Sequence, residues 1–371
     1  MSAPFCNICL SKGAEHAIFD NDYHYQKKGG FILLRRSNFI LLLILSALLL
    51  LSACGQQAAS TEPAASTATA ADKQASTDEA AKPAEETAAG SAETVTYKSD
   101  VGDVEVPADP QRIIDLTSFT TGYFVALDAP VVGALSGAMN NKYINEQLKA
   151  EGTTDLGELP TAEPILNLKP DLIVVYKGTD GIDQLSAIAP VVQLEYGKHN
   201  YKDLMLEIGK LTNREEAAQD WVKKWEAKIA EVKPQVLAAV GDRTVSILNP
   251  YAKGVYVFGH NYGRGGEILY GEFGLKAPTK AQAEAIDSGK GTASISLEVL
   301  PDYAGDIIFT SPWSGDDGDP EVVYGNSLWK NLPAVKAGHV FQLDPTSDTY
   351  NDPVTLEGQL KFLTDSLLSV K

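Results

Sequence analysis

The sequence predicts an α/β protein built as two lobes of alternating strands and helices joined by one long helix. Three observations predict it. Short apolar runs alternate with helical stretches on both sides of the chain's middle, and alternation at that pace indicates layered α/β structure with a largely parallel sheet. A long amphipathic stretch, 213–241, separates the two halves. One pattern of acidic and apolar residues occurs once in each half.

The chain opens with a leader. Arg35-Arg36 precedes the apolar run Phe39–Leu51, followed by Leu51-Ser52-Ala53-Cys54-Gly55. A basic region, an apolar core and small residues before a cut read as a secretory signal, and the apolar run is too short for a membrane-spanning helix. A cysteine at that point resembles the bacterial lipoprotein signal, with Cys54 as the lipidated first residue of the mature chain. Residues 1–53 are therefore read as leader and signal, with 1–30 either the product of an over-early start codon or an extended leader. From Gly55 to Thr94 there is no Val, Ile, Leu, Met or aromatic residue. Such a segment cannot bury a core, so 54–94 is read as a lipid-anchored, disordered tether.

The first lobe is placed at 95–212. Its strands are Arg112–Leu116, Val131–Ala134, Leu172–Tyr176 and Val191–Leu194, with helices at Gly122–Leu127, Tyr143–Ala150, Glu163–Leu168 and Gly181–Ile188. The connecting helix, 213–241, carries Ala218, Trp221, Val222, Trp225, Ile229, Val232, Val236 and Val240 at three-and-four spacing. Asn213 and Glu216 form a capping-box pattern, Gly241 supplies the stop, and Pro234 is expected to kink the rod. A long helix inside one domain and a strut between two lobes both fit this stretch; similar material on either side favours the strut. The second lobe, 242–371, has strands at Thr244–Leu248, Val255–Phe258, Asp306–Thr310 and Val340–Leu343. Its helices are Gly266–Phe273, Leu297–Asp302, Ser327–Asn331 and Thr355–Leu368.

The shared pattern is Glu163 to Asp171 in the first lobe and Glu298 to Asp306 in the second, each followed by an apolar strand. One acid near a helix start is ordinary helix-dipole chemistry. Two at matched positions read as a pseudo-symmetric pair of surface anchors.

Composition excludes several functions. The net charge of −18 becomes −20 once the leader, at +2, is removed, and nucleic-acid binding needs a basic face instead. Cysteines occur only at positions 6, 9 and 54, so the folded part has neither disulfides nor a cysteine nucleophile. No GxSxG elbow, HExxH pair or phosphate-binding loop is present, and no enzyme is expected. His199, His260 and His339 could join a carboxylate on zinc or manganese, although His339 opens a strand, where a structural role is the better reading.

Open α/β sheets bind ligands at strand ends and in the loops that follow. The loop Val257–Tyr270 is rich in glycine around Tyr262 and Arg264. Three readings are open there: an anion cradle at Gly266, Tyr262 and Arg264 facing a cleft with the guanidinium donating to an oxygen-rich ligand, or an Arg264–Glu267 ion pair. Trp313 and Tyr350 follow strands of the second lobe. Tyr176 ends one strand of the first lobe and Tyr196, Lys198 and His199 follow another; together these read as an aromatic-lined cleft. Asp316, Asp317 and Asp319 read as a solvated turn.

These residues bring a family into view. From Val95 onward the chain resembles the ferric-siderophore solute-binding lipoproteins of Gram-positive ABC importers, and among them the ferric hydroxamate binders. The matching stretches are Arg112-Ile113-Ile114, Glu163–Val175, Val255–Gly259, Gly263–Tyr270, Ser294–Phe309, Leu328–Phe341 and Asp352–Leu363. The resemblance implies two Rossmann-like lobes spanned by one backbone helix, the class III periplasmic-binding-protein fold. It implies that Glu163 and Glu298 meet arginines on two permease subunits served by a cytoplasmic ATPase. Arg264 would donate to hydroxamate oxygens, Tyr262 stands where many relatives place a tryptophan, and Trp313 matches an aromatic on the opposite wall. Tyr176, Lys142, His260 and Tyr350 carry over by position. A wrapped ferric trihydroxamate is near neutral, so one arginine among aromatics suits it better than a triply anionic catecholate; a ferric carboxylate or catecholate chelate is the alternative. The resemblance further implies a monomer on the outer face of the cell membrane that takes the chelate as its ligand and needs no cofactor.

Overall fold

The chain is represented by a computed structural model describing residues 93–313, 315 and 318–370. The expected leader, the lipidated Cys54, and all of the tether except its last two residues lie outside the described residues, as do Asp316 and Asp317. No helix among the described residues is long and apolar enough to cross a membrane.

Two five-stranded sheets form the architecture. The chain enters through a hairpin the sequence pattern did not suggest, β1 (Thr94–Ser99) paired antiparallel with β2 (Gly102–Pro107). Asp100 at its turn accepts from the Glu195 amide at 2.8 Å and so ties the hairpin to the first lobe. That lobe's sheet holds β3 (Ile113–Asp115), β4 (Val131–Ala134), β5 (Thr154–Asp155), β6 (Leu172–Tyr176) and β7 (Val191–Leu194) in the order β5-β4-β3-β6-β7, all parallel. Its central strands are buried on both faces, which is why they read as unbroken apolar runs. The second sheet holds β8 (Val245–Tyr251), β9 (Gly254–Phe258), β10 (Thr292–Ile295), β11 (Ile307–Thr310) and β12 (Val340–Gln342), ordered β10-β9-β8-β11-β12. Here the parallel expectation is corrected. Only Ala252 and Lys253 separate β8 from β9, and so short a link can only join antiparallel strands.

The matched aspartates have the same job in both lobes. Asp171 accepts from the amides of Gln111 and Arg112 at 2.7 and 2.8 Å, and Asp306 accepts from the Thr244 amide at 2.8 Å. Each fixes the entry of the neighbouring strand. Upstream of each, a short helix carries the paired glutamate exposed in its first turn: α2 (Ala162–Asn167) with Glu163 and the 3₁₀ helix Leu297–Asp302 with Glu298.

The connecting helix, α4, spans Glu215–Val240 and runs through Pro234 without ending. It follows α3 (Tyr201–Leu211), whose Asn200 cap accepts from the amides of Lys202 and Asp203. The expected capping box at Asn213 is absent. Asn213 adopts φ 56° and the Arg214 amide turns back to Gly209 O at 2.7 Å, so the tight α3–α4 corner takes precedence over side-chain capping. Within the helix Trp225 is fully buried, stacks on Trp221 with centroids 5.6 Å apart, and donates Nε1–H to the Tyr201 hydroxyl at 2.6 Å. Tyr201 in turn donates to Glu272 of the second lobe.

A single helix is not the only link between lobes. The last helix, α5 (Pro353–Ser369), lies against α4 and also against α1 (Thr121–Ala126) of the first lobe. Two glycines allow that approach: a Cβ at Gly122 would overlap the Asp352 side chain, and one at Gly358 would overlap the Tyr143 ring. Asn141 donates across the seam to Thr355 Oγ1 at 2.8 Å, and the Tyr350 hydroxyl to Gly137 O at 2.7 Å. Trp225→Ala should therefore lower unfolding free energy by about 3–5 kcal/mol in urea titration. A loss below about 1 kcal/mol would mean the helix is not seated as described.

Candidate functional site

The second-lobe wall is built on one face of β9 and the loop after β11. Tyr256 and Phe258 alternate on that face and meet Trp313, at centroid distances of 5.0 and 6.2 Å. The Trp313 amide donates to Pro250 O at 2.8 Å, which holds the ring over the sheet. Arg264 lays its guanidinium over Phe258 at 3.9 Å and over Trp313 at 5.0 Å. Nη1 donates to Tyr262 O at 2.6 Å, the Arg264 amide donates to Asp348 O at 2.5 Å, and Nε is buried without a partner. Arg264 and Trp313 thus share one wall, against the expectation of opposite walls: both hang from the mixed sheet.

The glycines of this loop serve the protein's own packing. A Cβ at Gly263 would overlap Thr349 O, at Gly265 the Leu363 side chain, and at Gly266 Gly259 O. The residues after them form one π-helical turn, Glu267–Glu272. No ion pair joins Arg264 to Glu267. The Glu267 Oε1 atom accepts instead from the Gly263 amide at 3.0 Å and Asn351 Nδ2 at 2.8 Å, leaving Oε2 buried and unpartnered.

The first-lobe wall is a run of rings at strand ends. Tyr176 meets Tyr196 edge-on at 5.4 Å, Tyr196 meets Phe119 at 5.9 Å, and Phe119 meets Tyr350 at 5.4 Å. Tyr262 reaches across to Tyr196 at 5.9 Å, so the walls touch, and Arg264, two residues further on, is only 4% exposed. The cleft the sequence suggested is thus closed at this point. Burial raises the phenol pKa of Tyr176, Tyr196, Tyr262 and Tyr350, keeping these rings neutral. Phe119 is the residue sequence reasoning missed; it lies four positions past the end of β3, where the strand-end rule applied to the other strands would have found it. Gly291 was missed too: it gives the Tyr262 ring its seat, since a Cβ there would overlap the ring.

Two expected residues lie elsewhere. Lys142 pairs across the lobe seam with Asp344 at 2.8 Å and is not placed on the aromatic wall. His260 faces a separate open concavity of about 430 Å³ with Tyr270, Lys276, Gln282 and Ile286. His199 bonds to Asp100 at 3.2 Å, beside another concavity of about 560 Å³ lined by Asp203, Glu207 and Glu215. Neither concavity includes a residue of the aromatic cluster. No group of three or more metal-ligating side chains comes together among the described residues. Asp319 is exposed and its Oδ1 accepts from the Glu321 amide at 2.9 Å, in keeping with the solvated turn read from the sequence.

Two α/β lobes joined by a connecting helix and seamed by the last helix, with aromatic rings meeting at their strand ends, define a two-lobed solute-binding protein. The chain belongs to the periplasmic binding protein family, whose model matches residues 113–346. It is 44% identical over 280 residues to the iron(3+)-hydroxamate-binding protein FhuD of Bacillus subtilis, covering 74% of this chain and 87% of that protein. A crystal structure of a FhuD-fold binding component of a ferrichrome ABC transporter from Bacillus subtilis superposes with a TM-score of 0.68 at 40% identity, covering 74% of this chain and 100% of that one. FhuD2 of Staphylococcus aureus with bound ferrioxamine B matches with a TM-score of 0.63 at 32% identity, covering 70% of this chain and 99% of that one.

The Lys142–Asp344 pair yields a pH prediction. Hydrogen bonding from Lys142, with further donors at Thr346, holds the Asp344 carboxyl at about 2. A depressed carboxylate contributes stability above its unfolded pKa, and that contribution is lost as pH falls from near 4 toward 2. Both side chains are about two-fifths exposed, at 41% and 39%, so solvent screens the pair. In Lys142→Ala, carbon-13 NMR should show Asp344 titrating above 2 yet below 3.8, because Thr346 still donates.

Proposed function

We propose that this chain captures a ferric hydroxamate siderophore outside the cell and hands it to an ABC permease for iron uptake. The observation that carries this reading is a single guanidinium set among rings from both lobes, between walls that must part to admit a ligand. Rings offer broad apolar surface for methylene linkers, while one planar multi-donor suits converging oxygens. The chelator alone touches the protein; the iron stays inside its wrapping. The names of the relatives support the same ligand class.

The remaining parts follow from this role. Lipid on Cys54 and a tether over 54–94 would hold a monomer at the membrane surface. Glu163 and Glu298 would be the permease anchors. Apolar residues exposed beside both glutamates support that assignment: Leu166 is 57% exposed and Val299 37%. Hydrogen bonding from Ser296 holds the Glu298 carboxyl below the usual range, so it presents a full negative charge.

Titration with ferrioxamine or ferrichrome should quench tryptophan fluorescence, and ferric citrate should not; binding of the citrate complex alone would refute the ligand class. Arg264→Ala should weaken binding by about 1.5–3 kcal/mol, the scale of a charge-assisted hydrogen-bond set. Unchanged affinity would remove Arg264 from the site. Glu163→Ala with Glu298→Ala should abolish uptake by intact cells while leaving the dissociation constant within about twofold; normal uptake would refute the docking role.

A further inference from the structure

Two acids are buried around Arg264 that the reading above does not use. Glu267 is 4% exposed and Asp348 is 5% exposed. Glu267 reaches the loop through the Gly263 amide, next to Arg264 in the chain. Asp348 gives its carbonyl to the Arg264 amide at 2.5 Å and receives the Ser311 hydroxyl on its carboxylate; Ser311 in turn accepts from Asn249 Nδ2 at 2.9 Å. Both carboxylates lie close enough to act electrostatically on the guanidinium. Burial pushes both carboxyls up while the guanidinium pulls them down, and a guanidinium removed from water without a compensating charge costs several kcal/mol, which favours an ionised acid beside it. With one ionised, the cluster is neutral; with both, it is negative.

Among the described residues the first-lobe rings Phe119, Tyr176 and Tyr196 form a wall without a cation of its own, and three first-lobe lysines outside it are paired. Lys142 is held by Asp344 at 2.8 Å, Lys177 by Glu195 at 3.3 Å and Lys198 by Asp100 at 2.5 Å. Lys253 and Lys290 stand on exposed turns, where water and salt screen them.

We propose that Glu267 and Asp348 set the charge specificity of this site: by outweighing Arg264 they make it prefer cationic ferric chelates to neutral ones and reject anionic ones. The arginine then acts as a hydrogen-bond donor, not as an attractor of negative charge. Its direction is fixed by stacking and by Tyr262 O, while its charge is already answered from within the protein. This deepens the hydroxamate reading and rests on it.

The test uses the full chain and one chelate in three charge states. A linear ferric trihydroxamate with a free terminal amine carries +1, its acetylated form is neutral, and its succinylated form carries −1. The cationic form should bind about tenfold more tightly than the neutral form. The anionic form should bind about tenfold more weakly, the effect of one unit charge near 10 Å at an effective dielectric of about 20. Glu267→Gln or Asp348→Asn should narrow that gap by about threefold or more, whatever happens to absolute affinity. The ratio of dissociation constants is the readout because loss of packing alone lowers all three affinities together. In 1 M salt the gap should persist, since a buried cluster escapes screening. A ratio unchanged in both variants, or a gap that vanishes in salt, overturns the proposal. Equal binding of all three forms overturns it as well while sparing the hydroxamate reading; binding of none overturns that reading itself.

Discussion

A guanidinium held out of water constrains everything around it, and Arg264 imposes that constraint here. It sits at φ 58°, a conformation few side chains accept, with its amide taken by Asp348 O and one nitrogen taken by Tyr262 O. Those bonds need Gly263 and Gly265 on either side, at φ 71° and 78°, so that the loop can turn twice against its own backbone. The π-turn after Gly266 then starts at a residue, Glu267, whose acid returns to the same loop. Loop path, stacked rings and buried acids are one solution to placing one cation among aromatics.

The lobes are coupled more tightly than a lone strut would couple them. Tyr201 receives Trp225 of the strut and donates to Glu272 of the second lobe, and Lys202 reaches the same acid at 2.9 Å. On the other side of the strut, α5 carries Glu357, which accepts from Trp221 Nε1 at 2.7 Å and pairs with Lys228 at 2.5 Å. A helix bonded on both flanks bends little, so lobe motion is confined to small rotations about the seam. Tyr262 on Tyr196 is the point of that seam nearest the buried cation's loop, and parting those two rings is a small movement of that kind.

How much of this was legible in the sequence depends on which physics fixed each part. Strands buried on both faces, such as Leu172–Tyr176 and Val191–Leu194, announce themselves as apolar runs and were placed to the residue. The hairpin β1–β2 was not, because its burial pattern leaves one face in water and Val95 45% exposed. The antiparallel β8–β9 pair was hidden because apolar runs carry no direction; only the two-residue turn encodes it. In the site, Arg264, Tyr262, Trp313, Tyr176 and Tyr350 came together because strand-end position is a local property. Lys142 and His260 did not, since their partners, Asp344 and the Tyr270–Lys276 segment, are set by tertiary packing. Glu267 was read as a direct partner of Arg264 and Asp348 was not weighed at all, because burial and the contacts that tie these acids to the Arg264 loop are set by tertiary packing.

A carrier whose lobes are pinned this firmly has little strain of its own with which to expel a ligand. On the proposed reading, the work of release must come from the docking partner. The pseudo-symmetry of the chain supplies the geometry for it. Asp171 and Asp306 lock the same strand entry in each lobe, so Glu163 and Glu298 stand at equivalent places in the two lobes. A partner that gripped both would pull on the lobes and not on the strut. Among the contacts such a pull would load are the neutral rings that meet at a tilt across the seam, each pair worth about 0.5–1.5 kcal/mol beyond its buried area. On that reading the strut would serve release as well as capture, because it would direct the partner's work into the ring contacts between the lobes.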